Sequence, residues 1–159
     1  MMLDLSQSKV LVGLDEAGVL ARLGAPDQAQ ARLVYHILPP NEDGVSGAWM
    51  DVVHENGKLS YIWPVGYGAS KDPSPPEPSQ LPWESMSTPQ RVCAMQWMLA
   101  NFPSMPSSPE AFRARFGTPT FHFVEWQYAA DWGTCARSPH CYYVVRFQGG
   151  VVDSFGGND

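Results

Sequence analysis

The chain has 159 residues, with 10 Lys+Arg against 16 Asp+Glu and a formal net charge of −6. That length suits one ordinary domain or two small ones sharing a core, and roughly 70 % of the unfolded surface can be buried without a disulfide or metal staple. The acidic balance excludes a nucleic-acid binder held by phosphate contacts, which needs a basic face, and no apolar run reaches the roughly 18 residues of a membrane span. The 15 prolines, 14 glycines and six tryptophans describe a turn-rich, aromatic-rich domain.

The opening MMLDLSQSKVLVG has no basic n-region, long apolar h-region or small-residue cleavage site. The expectation is a cytoplasmic chain, or a mature form trimmed of its signal. Cys93, Cys135 and Cys141 are an odd, low count that fits free thiols in a reducing compartment. Residues 14–23 (LDEAGVLARL) carry apolar side chains at helical spacing. Asp15 and Glu16 suit the first turn, and Gly24 and Pro26 supply the stop. Residues 31–38 read as a strand, 41–47 as a loop, and 48–55 and 58–63 as two more strands. Asn56-Gly57 joins them as a hairpin, because both turn residues take positive φ. His54, just before that turn, is expected at the surface.

Seven prolines fall between Pro64 and Pro89, which excludes a helix or central strand there. The segment reads as an extended connector, pinned at its far end by Leu81 and Trp83. Residues 89–101 form the strongest helix, with Ser87 or Thr88 as N-cap and Pro89 at its first position. Cys93 lies on its apolar face and reads as core. A short helix follows at 109–116, capped by Ser108 and closed by Gly117. Strands are expected at 120–130, 141–147 and 151–155, the last two joined at Gly149-Gly150, with a frayed GGND tail.

The two halves superpose at one offset of 93 without a gap. Ala21-Arg22-Leu23-Gly24-Ala25-Pro26 falls on Ala114-Arg115-Phe116-Gly117-Thr118-Pro119. Tyr35 falls on Tyr128, Val52 on Val145, and Asn56-Gly57 on Gly149-Gly150. The matches sit where backbone geometry is demanding. The expected fold is therefore α+β, a tandem repeat of two small units. Each would be a helix or helix pair on a three- to four-stranded antiparallel sheet. The expected boundaries are 1–63 for the first unit, 64–87 for the connector and 88–159 for the second.

A helix ending in Leu-Gly-x-Pro, then a strand, then a hairpin on Asn-Gly resembles the small domain of the outer-membrane small lipoprotein A family. In tandem, at this length and with this aromatic content, it is similar to the β-lactamase inhibitory proteins. The resemblance implies a helix-on-sheet superfamily fold that works by binding other proteins. The lipoprotein family is anchored through an N-terminal cysteine, whereas the first cysteine here is Cys93. The inhibitory proteins carry a disulfide within each unit, and these three cysteines do not make two symmetric bridges.

No nucleophile elbow, P-loop or Gly-x-Gly-x-x-Gly after a strand is present. His36 and His122 lie mid-strand beside apolar neighbours and read as ordinary strand histidines. Cys135, His140 and Cys141 cluster in a loop, with Asp131 as a conceivable fourth ligand, but local zinc spacing is incomplete. No catalytic residue, metal or cofactor is expected. The expectation is a non-enzymatic protein-binding inhibitor, a bacterial immunity protein covering the active site of a toxin enzyme, acting as a monomer or heterodimer with its target. Acidic charge suits a basic target and speeds encounter. The contact residues expected are Tyr35 and Trp49 from the first unit, with Asp131, Trp132, Arg137 and Tyr142 from the second. Loops 38–48 and 128–141 are expected to reach the target. The alternative is a scaffold or assembly module of the envelope-lipoprotein type.

Overall fold

The structure, a computed structural model, describes residues 10–38, 47–66, 76–78, 80–129 and 142–158. Its elements are α1 (Glu16–Leu23), β1 (Gln28–His36), β2 (Trp49–Glu55), β3 (Lys58–Val65), α2 (Thr88–Ala100), α3 (Pro109–Phe116), β4 (Phe121–Ala129), β5 (Tyr142–Gln148) and β6 (Val151–Asn158). Single 3-10 turns at Trp83–Ser85 and Phe102–Ser104 flank α2. The strands make one six-stranded antiparallel sheet in the order β3-β2-β1-β4-β5-β6. Among the described residues no helix is long and apolar enough to cross a membrane.

Local chemistry sets the ends of the helices. The Asp15 carboxylate accepts from Gly18 N at 2.8 Å, and the Ser108 hydroxyl accepts from Ala111 N at 3.1 Å. These caps satisfy amides that the first turn leaves unpaired. Gly24 (φ 80°) and Gly117 (φ 93°) end α1 and α3 in a backbone region that only glycine enters readily. A reciprocal Ser87–Gln90 capping box opens α2. Gly156–Asn158 of the tail expected to fray are instead part of β6, where Tyr142 and Tyr143 pair with Asn158 and Gly157.

The two hairpins share one register. Trp49↔Val65 through Glu55↔Lys58 recur 93 positions later as Tyr142↔Asn158 through Gln148↔Val151. Each hairpin slips by one residue at the same place, between Val53 and His54 and between Arg146 and Phe147. The slip is a β-bulge, which leaves Ser60 and Asp153 unpaired and reverses the faces of the residues that follow.

Two compact units emerge, and they do not follow the sequence boundaries at 63 and 88. One joins Met1–Gln30 to Phe123–Asp159; the other is Ala31–His122. The reason is where each helix finds apolar surface. In the second unit α2 and α3 bring Ala94, Met95, Met98, Phe112 and Phe116 onto Leu33, Tyr35, Met50, Val52 and Ile62 of the first three strands and onto Ile37 just past β1. Trp83 is buried in this core, its Nε1 donating to His36 O at 3.0 Å. Leu81, expected to share that anchoring role, is exposed. In the first unit Val19 of α1 packs with Leu11, Trp126, Tyr128, Val145, Phe147 and Val152. Each sheet portion is covered by a helix from the other part of the chain.

Two further expectations change. Cys93 is only half-buried, its Sγ 3.8 Å from Pro76 O. His54, expected at the surface, is 0 % exposed. It sits on the helix-facing side of β2, with its ring edge-on to Phe112 at 5.9 Å. Neither ring nitrogen has a hydrogen-bond partner. Burial holds its pKa below the ordinary 6.5, the nearby Glu110 opposing and Arg113 adding to the shift.

Two predictions follow from these contacts. Gly24→Ala meets nothing within 4 Å and incurs only the conformational penalty, about 1–3 kcal/mol. Gly117→Ala adds a Cβ 2.7 Å from Trp83 N, so its thermal midpoint falls further than that of Gly24→Ala. For His54, the folded state binds its proton less readily than the unfolded chain. Stability is therefore present above pH 6.5 and declines below it, by up to about 1 kcal/mol between pH 6.5 and 5.5. Denaturant titrations of wild type and His54→Leu across that range are expected to differ in slope, the variant losing the acid-side decline.

Candidate functional site

The helices occupy one face of the strands in the Ala31–His122 unit, and alternation assigns the other. β1 contributes Arg32, Val34 and His36 to this open face; β2 contributes Trp49, Asp51, Val53 and Glu55; β3 contributes Tyr61, Trp63 and Val65. The register sets Trp49 opposite Val65, Asp51 opposite Trp63 and Val53 opposite Tyr61. Val34 and Val53 are buried here yet belong to neither core cluster. Trp63 is 63 % exposed and Tyr61 36 %. The result is a small aliphatic floor beside aromatic rings, with Arg32, Asp51 and Glu55 among them.

His36 is half-buried, and its ring lies 6.4 Å from Trp49 and 5.5 Å, edge-on, from Phe121. A shallow cavity of about 550 Å³ opens here, lined by His36, Trp83, Glu84, Arg91 and residues 118–121. Its walls are fixed by backbone contacts. Arg91 donates to Trp83 O and His36 O, both at 3.3 Å, and Glu84 accepts from Thr118 N at 3.0 Å. These bonds tie the polar side chains of the cavity to the main chain rather than to each other. No nucleophile–base–orienter set forms there. Among the described residues no group of three His, Cys, Asp or Glu could hold a metal ion.

The Met1–Gln30/Phe123–Asp159 unit also has a face that no described helix covers, with different chemistry. Phe123, Glu125 and Gln127 of β4 stand with Tyr142, Val144 and Arg146 of β5 and Ser154 and Gly156 of β6. Arg146 donates Nε and Nη2 to one oxygen of the largely buried Glu125, at 3.1 and 2.8 Å, with its guanidinium 4.5 Å from the Phe123 ring centroid. This charge-assisted stack fastens the center of that face.

Of the residues expected to meet a partner, Trp49 and Tyr142 are half-buried on these open faces. Tyr35 is not available: it is fully buried in the core, edge-on to Trp83 at 5.2 Å, with its hydroxyl bonded to Gly117 O at 3.1 Å. Burial pushes that hydroxyl well above its ordinary pKa, so it stays a neutral donor. Its apolar neighbours on the helix side outweigh its aptitude for interfaces. Asp131, Trp132 and Arg137, with Cys135, His140 and Cys141, lie outside the described residues, as do positions 39–46 of the first expected contact loop. Tyr61 and Trp63 were missed. Simple pairing outward from Asn56-Gly57 sets Tyr61 opposite Val52, on the core side; the bulge at Ser60 sets it opposite Val53 instead.

Comparison with protein-family models, curated proteins and solved structures finds no match for the chain.

Exposure separates the tryptophans by role. Trp63→Ala is expected to leave stability within about 0.5 kcal/mol, as for an ordinary surface change. Trp83→Ala removes a buried ring and is expected to cost about 3–5 kcal/mol. Chemical denaturation of the two variants checks both values.

Proposed function

We propose that this chain is a non-enzymatic protein-binding inhibitor, an immunity protein that covers the active site of a basic toxin enzyme with the open face of its Ala31–His122 unit. One observation carries the reading. Tyr61 and Trp63 stand exposed on that face, whereas the positions 93 residues later in the matching hairpin hold Ser154 and Gly156. The same register forms with a hydroxyl and a hydrogen in those places, so strand pairing does not require the rings. Trp, Tyr and Arg dominate binding hot spots, and Trp49, Tyr61, Trp63 and Arg32 supply all three types. The net charge of −6 favours a basic partner and fast encounter.

We propose further that the chain is a tandem repeat. Matching spans, matching helix stops and the shared hairpin slip support that reading. On it, one copy keeps an aromatic face for the target and the other a pinned Glu125–Arg146 face.

The test begins with the genes that neighbour this one, among which a basic, toxin-like enzyme is expected; that enzyme is purified and titrated with the chain. The wild-type chain is expected to inhibit it stoichiometrically. By calorimetry, Trp63→Ala is expected to weaken binding by about 2 kcal/mol or more, with its unfolding midpoint unchanged. An enzyme that turns over at full rate with the wild-type chain in excess overturns the proposal.

A further inference from the structure

The contacts that dock α1 and α3 come in pairs with the partners' roles exchanged. Tyr128 donates its hydroxyl to Gly24 O at 3.1 Å, and Tyr35 donates its own to Gly117 O at 3.1 Å. Asp27 N donates to Gln127 O, and Thr120 N donates to Val34 O. Ala129 N donates to the Asp27 carboxylate, and His36 N donates to the Thr120 hydroxyl. In each pair, adding 93 to one residue number and subtracting it from the other converts one bond into its mate. Residue i of one half meets residue j of the other, and the equivalent of j meets the equivalent of i. That reciprocity is the mark of a two-fold, isologous interface between two copies of one subunit.

The apolar packing obeys the same rule. Val19 of α1 is fully buried on β4–β6, and Phe112, at the matching place in α3, is fully buried among residues of β1–β3. Both caps, Asp15 and Ser108, and both glycine stops keep the 93-residue spacing. Side chains at these places have diverged, as from Val to Phe and from Asp to Thr, while the bonds persist. Convergence of two unrelated halves on reciprocal bonds at one spacing would need each to arise separately.

We infer that the chain is a covalently fused, helix-exchanged homodimer. The helix-receiving face of each three-stranded portion fits the helix of a second copy of the same half, here supplied by the rest of the chain. This inference rests on the tandem-repeat reading. It adds that the halves are obligate partners, each holding the helix that closes the other's core.

Amide hydrogen exchange of the full-length protein, resolved by peptide, tests it. Val19→Ala is expected to speed exchange in β5 and β6 roughly tenfold and leave β2 and β3 unchanged. Phe112→Leu is expected to do the reverse, speeding β2 and β3 and sparing β5 and β6. Should the latter variant fail to fold, Phe116→Leu, also on α3 and buried among the same strands, replaces it, with the same strands expected to respond. If each substitution instead loosens the strands of its own half, helix exchange is overturned while the repeat stands. If only one of the two acts on the other half's strands, the reciprocity fails and the repeat reading falls with it.

Discussion

A tyrosine hydroxyl bonded to the carbonyl of a helix-ending glycine fixes where α1 and α3 lie against their strands. The bond needs three things at once. The tyrosine must be on the helix-facing side of a strand, the glycine must turn the chain at positive φ, and the hydroxyl must stay a neutral donor inside an apolar core. Tyr35 and Gly117 meet these conditions, as do Tyr128 and Gly24. Burial raises the pKa of both hydroxyls, with Asp27 adding to the rise at Tyr128. A net gain of about 1 kcal/mol per bond is modest. Its direction matters more, because it sets the end of a short helix against one rung of a strand, and the packing of Phe112 and Val19 follows.

The open faces follow from the same placement. Once helices fill one side, alternation sends the remaining side chains to the other, and the bulges at Ser60 and Asp153 decide which residues those are. Without the slip Tyr61 and Trp63 would crowd the core and Ile62 would face water. With it, Ile62 joins Met50 and Val52 in the core, and the rings turn outward. Edge position makes this possible: β3 ends the sheet, where Pro64 can sit without breaking an inner ladder.

Much of the fold was legible from sequence because its punctuation is strong. Asp15, Gly24, Ser108 and Gly117 bound their helices as backbone geometry requires, and Asn56-Gly57 and Gly149-Gly150 turn their hairpins. What was not legible depends on partners distant in the chain. No local pattern says that His54 lies under Phe112, or that Tyr35 faces helices that begin more than fifty residues later. The bulge was hidden because Lys58-Leu59-Ser60-Tyr61 reads equally well with or without one unpaired residue. On that face, Trp49 was named from sequence as a contact residue, while the outward turn of Tyr61 and Trp63 depended on that hidden slip.

The first helix also has a consequence for how the chain is made. Gly24 meets Tyr128 across 104 positions, whereas Tyr35 meets Gly117 across 82. During synthesis the Ala31–His122 unit can close as soon as α3 has emerged. α1, made before all the strands it packs on, must wait for β4, β5 and β6. Such long-range closure slows folding and leaves apolar surface uncovered in the interval. Val19 and Leu23 are therefore left without their packing partners, open to chaperones, proteases and aggregation, until β4, β5 and β6 have been made.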